Sequence, residues 1–171
     1  MAELLPQERL QPSLLDRLTD DAPESKDENR DKRVLNLAQL RACVMRDLSW
    51  LLNTVHLQAS QDLSGWPEVA SSTVNYGIPD LAGGTARSKN TMLLERAVRQ
   101  AVLNFEPRIL ADSLTVSVRI DPEQMDRHAM LFIIEGKLWA QPLPLNLYLE
   151  TELDLETGTV TVAEAARGQR A

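Results

Sequence analysis

The sequence predicts an α+β fold: two main helices packed on an antiparallel β-meander of about four strands, with a short N-terminal helix on a charged arm. Three observations predict it. Two segments place apolar residues at the three-and-four spacing of one helix face. A C-terminal zone alternates apolar and polar residues with the period of half-buried strands. The links within that zone are short, which favours sequential antiparallel pairing. The 171 residues fit one domain with one sizeable core.

Residues 1–33 read as an N-terminal arm. Ser13 is placed to cap a helix of one or two turns, with Leu14, Leu15 and Leu18 on one face and Asp16 in the dipole-favoured first turn. So short a helix is unstable alone, so those leucines should dock on the main domain or on a partner. Thr19 to Arg33 carry both signs of charge and almost no apolar side chain, the composition of a solvated linker.

The main domain is expected over residues 34–163. Leu37, Leu40, Val44, Leu48, Leu51 and Val55 form the stripe of the first main helix, widened by Leu52, with Asn36 as its N-cap. Arg41, Arg46 and Asp47 fall outside the stripe and should face solvent or a neighbouring chain. The second helix runs from about Asn90 to Phe105, with Leu94, Ala97, Val98, Ala101, Val102 and Phe105 inward, and Pro107 stops it. Between them, Ser60 to Lys89 are rich in Gly, Ser, Pro and Asn; a link this long is functional or locally structured.

The strands follow. Leu114, Val116, Val118 and Ile120 alternate with Thr115, Ser117 and Arg119. Residues 129–140 form the next, with Gly136 as a bulge or a point of close approach. Leu145, Leu147 and Leu149 alternate with Asn146, Tyr148 and Glu150, and Glu156-Thr157-Gly158 turns the chain into Thr159-Val160-Thr161-Val162. Residues 164–171 read as a flexible tail.

Composition narrows function by exclusion. With 43% hydrophobic residues the chain is not wholly disordered, and no apolar run approaches the roughly 20 residues of a membrane span. A net charge of −7 and 4% aromatic residues argue against nucleic acid, which calls for concentrated positive charge and stacking platforms. Cys43 is the single cysteine, so neither an intramolecular disulfide nor a cysteine-based metal cluster is available, and the first residues lack a secretory signal. A cytoplasmic protein is expected.

Chemical motifs are sparse. There is no Gly-x-Ser-x-Gly elbow; His56 lies at a helix end and His128 in a charged turn, far from each other and from Cys43. Gly83-Gly84-Thr85-Ala86-Arg87-Ser88-Lys89 lacks P-loop spacing. A glycosidase needs two carboxylates across a sugar-sized cleft; Glu95, Glu106, Asp112 and Asp80 are carboxylates of an acidic surface before they are such a pair. Trp50 and Trp139 read as core or interface packing. No catalytic residue, metal or cofactor is expected.

One constellation stands apart, Phe105-Glu106-Pro107-Arg108. Proline ends the helix and biases Glu106 towards an extended conformation, so Glu106 and Arg108 occupy a rigid corner. They either reach a partner from it or close it as an internal Glu–Arg pair.

Four motifs in order carry a resemblance: Leu14-Leu15-Asp16-Arg17-Leu18; Leu40-Arg41 through Val44, Arg46-Asp47-Leu48 and Leu51-Leu52-Asn53-Thr54; Ser72 through Val74-Asn75-Tyr76-Gly77-Ile78-Pro79-Asp80-Leu81; and Phe105-Glu106-Pro107-Arg108. Together, over roughly residues 10–163, they resemble the TssE family of type VI secretion baseplate subunits, related to phage-tail baseplate wedge proteins and labelled "lysozyme-like". The resemblance implies a structural wedge subunit without hydrolase activity, docking on TssF and TssG and helping to start the TssB–TssC contractile sheath, in a baseplate that also holds TssK and VgrG. It implicates Glu106, Pro107 and Arg108 in docking, with Arg46, Asp47, Asn75 and Tyr76 as a secondary interface. It also implies that an edge of the sheet, with the hairpin of about Leu145 to Val162 as candidate, meets the sheath. The alternatives are a peptidoglycan hydrolase and a wedge protein of a phage or another contractile injection system.

Overall fold

The computed structural model describes residues 13–19, 24, 37–81, 91–119, 129–140 and 143–164. Among these residues the helices are α1 (Leu14–Leu18), α2 (Leu37–Leu52), α3 (Pro67–Ala70) and α4 (Thr91–Phe105), with 3₁₀ turns at Leu57–Ala59, Thr73–Asn75 and Ala111–Ser113. Strands β1 (Thr115–Arg119), β2 (Ala129–Leu138), β3 (Leu145–Asp154) and β4 (Val160–Glu164) form one antiparallel sheet in sequential order. The α+β meander read from the periodicities is therefore the fold. Asn36, Asn90, Ile120, His128 and the tail from residue 165 lie outside the described residues.

The apolar stripes dictate the layers. Leu40, Val44, Leu48, Leu51 and Leu52 of α2 are buried, as are Leu94, Val98, Ala101 and Val102 of α4. They meet one face of the sheet, built by Val116, Met130, Phe132, Ile134, Leu138, Leu147, Leu149, Leu153 and Val160 in a single core. The stripe of α2 is shorter than its sequence spacing suggested: Leu37, at the first position of the helix, is 45% exposed, and Val55, beyond its close at Leu52, is 55% exposed. The backbone amide of Asn53 donates to Ser49 O at 3.2 Å and Thr54 Oγ1 donates to Trp50 O at 2.7 Å, which satisfies carbonyls at the helix end. Thr151 faces the core, but its hydroxyl donates to Phe132 O at 3.1 Å, so no lone polar group is buried there.

Gly136 is a close-approach point and not a bulge. Register runs through it unbroken, opposite Leu147, while a Cβ there would lie 3.0 Å from Ile109 Cγ2. That approach matters for the corner, because Ile109 bridges to Leu138 at the end of β2. The long link after α2 is locally structured over its described part. Asn75, 6% exposed, donates through Nδ2 to Ala70 O at 2.8 Å and accepts Gln58 N–H at 2.9 Å. Asn75 is thus turned inward as an internal tie.

Candidate functional site

The corner after α4 is fixed from both sides. Helix hydrogen bonding ends as Glu106 N–H donates to Val102 O at 2.9 Å, and Pro107 has no N–H with which to continue it. The next residues join the end of β2: Trp139 N–H donates to Arg108 O at 2.7 Å and Leu110 N–H to Lys137 O at 2.9 Å. Pro107 is left exposed at the apex.

The two charged residues do not both project from this corner. Glu106 is buried and grips Arg108: Oε1 accepts the Arg108 backbone N–H at 3.2 Å and Nε–H at 2.7 Å, and Oε2 accepts from Nη2 at 2.5 Å. Of the two readings left open by residue chemistry, the internal pair is the one that forms. Arg108 Nη2 also reaches Asp47 Oδ2 on α2 at 2.5 Å. Opposed carboxylates raise the guanidinium pKa well above its ordinary value despite burial, which acts the other way. Nη1 of Arg108 is buried without a hydrogen-bond partner among the described residues.

The network continues into the arm. Asp47 Oδ1 accepts from Arg46 at 2.7 Å, and Arg46 Nη1 donates to Asp16 Oδ1 at 2.5 Å. Arg46 also lies over the Trp50 ring, 5.0 Å from its centroid. Arg46 and Asp47 therefore link α1 to the corner, where spacing alone placed them towards solvent or another chain. The docking face of α1 is also the reverse of expectation. Asp16 faces the body, whereas Leu14, Leu15 and Leu18 are 70%, 46% and 73% exposed. Ser13 supports the arrangement, capping Asp16 N–H and donating to Asp16 Oδ2 at 2.6 Å.

Between α1, α2 and the corner lies a groove of about 510 Å³. Its walls include Leu15, Trp50, Tyr76, Phe105 and Pro107, with Asp47, Glu106 and Arg108 also lining it. Tyr76 meets Phe105 edge to face at 5.1 Å, and its hydroxyl donates to Asp47 O at 3.4 Å. Trp50, half exposed, belongs to this groove and not to the core. The structure thus assembles Glu106, Pro107, Arg108, Arg46, Asp47 and Tyr76 in one region. Sequence reasoning missed Trp50 and Asp16 as parts of it; their signal was the position of each beside the Arg46-Asp47 pair, one helical turn away or across the arm.

Among the described residues, no group of three His, Cys, Asp or Glu side chains is arranged to hold a metal ion, and no helix is long and apolar enough to cross a membrane. His56 is beyond the end of α2, its backbone N–H donating to Ile78 O at 3.0 Å. A family model described as baseplate wedge protein gp25 matches residues 38–143, more than half of the chain. No curated protein and no solved structure matches it.

Proposed function

The chain belongs to the baseplate wedge protein gp25 family, and from that premise we propose that it is the TssE-type wedge subunit of a type VI secretion baseplate. It works in the cytoplasm as a structural piece without catalytic activity. It docks on TssF and TssG through the corner groove, within a baseplate that contains TssK and VgrG. Its β3–β4 hairpin faces the first ring of TssB–TssC sheath.

The observation that carries this reading is the Glu106–Arg108–Asp47 network, anchored on the buried Glu106, beside an open apolar groove. The charges hold the corner rigid, so the apolar walls at Trp50, Tyr76 and Pro107 are preformed and little ordering is needed on docking.

The test is co-purification of TssF–TssG with the full chain and with a Trp50→Ala/Pro107→Ala double variant, both substitutions at exposed positions outside the core. The expected result is loss of the complex with the fold retained; undiminished recovery by the folded variant refutes the docking site. Partners identified from the native assembly separate a secretion baseplate from a phage or other injection wedge. Clearing of purified peptidoglycan by the chain would instead favour the hydrolase alternative.

A further inference from the structure

Both edges of the sheet are engaged by side chains from the helices that cover it. At β4, Asn53 Nδ2 donates to Val160 O at 2.8 Å, and Val160 N–H donates to Asn53 Oδ1 at 2.9 Å. One side-chain amide can take both peptide groups of Val160 only if both point away from β3. By antiparallel alternation, Val162 is the next residue with outward peptide groups. Arg41, on α2, reaches the other end: it pairs with the Glu164 carboxylate at 2.7 Å and donates to Asn146 O at 3.2 Å, beyond the last β3–β4 rung at Leu149 and Glu164.

The opposite edge is treated alike by α4. Glu95 Oε1 accepts Val118 N–H at 2.8 Å, and Arg99 Nε donates to Leu114 O at 3.3 Å. Leu114, Val116 and Val118 share the outward phase. Between the contacts at its two ends, each edge therefore has one outward residue whose peptide groups meet no helix side chain among the described residues, Val162 on β4 and Val116 on β1.

An unprotected edge is a template for another strand. These two are rich in β-branched residues, Thr-Val-Ser-Val-Arg and Val-Thr-Val-Ala-Glu, and suit pairing. Because both edges belong to one chain, pairing β1 of one copy with β4 of the next leaves an edge at each end to which a further copy can add. We propose that Asn53 on β4, and Glu95 with Arg99 on β1, are edge guards that keep a second copy of this chain from adding to the sheet. The Asn53 carboxamide stands in for the first peptide unit of a fifth strand. An incoming copy can pair at Val162 but must break two hydrogen bonds to extend to Val160. The chain is thereby held monomeric until a partner supplies its own replacement for those bonds.

Sedimentation velocity over a concentration series, on the full chain and on Asn53→Ala, tests the β4 guard. The parent stays monomeric, and Asn53→Ala self-associates about tenfold more tightly, the effect of freeing two backbone groups. Adding Val162→Pro, which removes an outward N–H and spares the β3–β4 ladder, returns Asn53→Ala to parental behaviour. If Asn53→Ala loses its circular dichroism, Asn53→Asp takes its place, since it keeps the acceptor for Val160 N–H and loses the donor. A folded variant as monomeric as the parent overturns the proposal. So does association that Val162→Pro leaves unchanged, because it would not run through β4. The Glu95→Ala/Arg99→Ala variant puts the same question to β1.

Discussion

Glu106 accepts three hydrogen bonds from Arg108, at 3.2, 2.7 and 2.5 Å, while only 3% of Glu106 is exposed. A carboxylate so enclosed is stabilised by its partner, and removing either side leaves a charge with reduced compensation. Glu106→Ala and Arg108→Ala should therefore each cost about 3 kcal/mol of stability. The double variant should cost clearly less than their sum, because the second substitution removes the stranded charge. Urea midpoints for the four members of this cycle measure it. Additive losses would mean that the two residues act independently. Binding assays on either single variant must be read against this loss, which is why the docking test uses Trp50 and Pro107.

The arm should let go in acid and not near neutrality. Burial alone would raise the pKa of Asp16, but hydrogen bonds from Arg46, Ser13 and Cys43, with the Arg46 charge, hold it at about 2 against an ordinary 3.8. A depressed native pKa contributes stability above the unfolded value and loses it as pH falls through the folded one. Docking of α1 should thus be intact at pH 5 and lost between about pH 4 and pH 2. Hydrogen exchange of the Asp16 and Thr19 amides, which donate to Ser13 Oγ and Leu15 O, reads this directly. In Arg46→Met the same amides should exchange fast already at pH 7, with no acid step left; persistence of the step would place its origin elsewhere.

The fold was legible because its signals are local. Helix stripes and strand alternation are properties of neighbouring residues, and they recover both main helices and all four strands. The corner was legible as a rigid feature, since Pro107 acts on the residue before it, but its electrostatics were not. Arg108 is held by Glu106 and also by Asp47, which the chain brings to it from 61 positions away. The arm misled for a related reason. Its leucines have the periodicity of a buried face, yet the Arg46–Asp16 pair turns the other face inward. Periodicity reports amphipathicity and is silent about which side finds a partner. The edge guards are equally non-local: Asn53 and Val160 are 107 positions apart.

Cys43 should be a slow thiol whose reactivity depends on the arm. Burial pushes its pKa up, and the neighbouring Asp16 charge and hydrogen bond push the same way. Less thiolate is available at pH 8 than for a free cysteine, so iodoacetamide should modify it more slowly. Asp16→Asn removes the negative charge and loosens α1, and should raise the alkylation rate. An unchanged rate in that variant would show that core burial alone governs the thiol.

Gly77 should be the least replaceable glycine among those described. Its φ is +126°, which disfavours an L side chain, and a Cβ would lie 2.3 Å from Thr54 O and 2.9 Å from His56 N. Both neighbours are backbone in the bridge that ties the loop to the end of α2, where Ile78 N–H donates to Thr54 O at 2.8 Å and His56 N–H to Ile78 O at 3.0 Å. Neither can rotate aside, so the bridge itself must open. Gly77→Ala should cost about 3 kcal/mol, combining backbone strain with overpacking. Gly65→Ala, with nothing within 4 Å of its Cβ, is the matched control and should change stability by no more than about 0.5 kcal/mol. Thermal melts of the two variants make the comparison. Tyr76 immediately precedes the strained position, so opening the bridge also displaces the ring that packs on Phe105. Gly77→Ala should accordingly lose partner binding below its melting temperature, whereas a variant that merely melts earlier would bind normally in the cold.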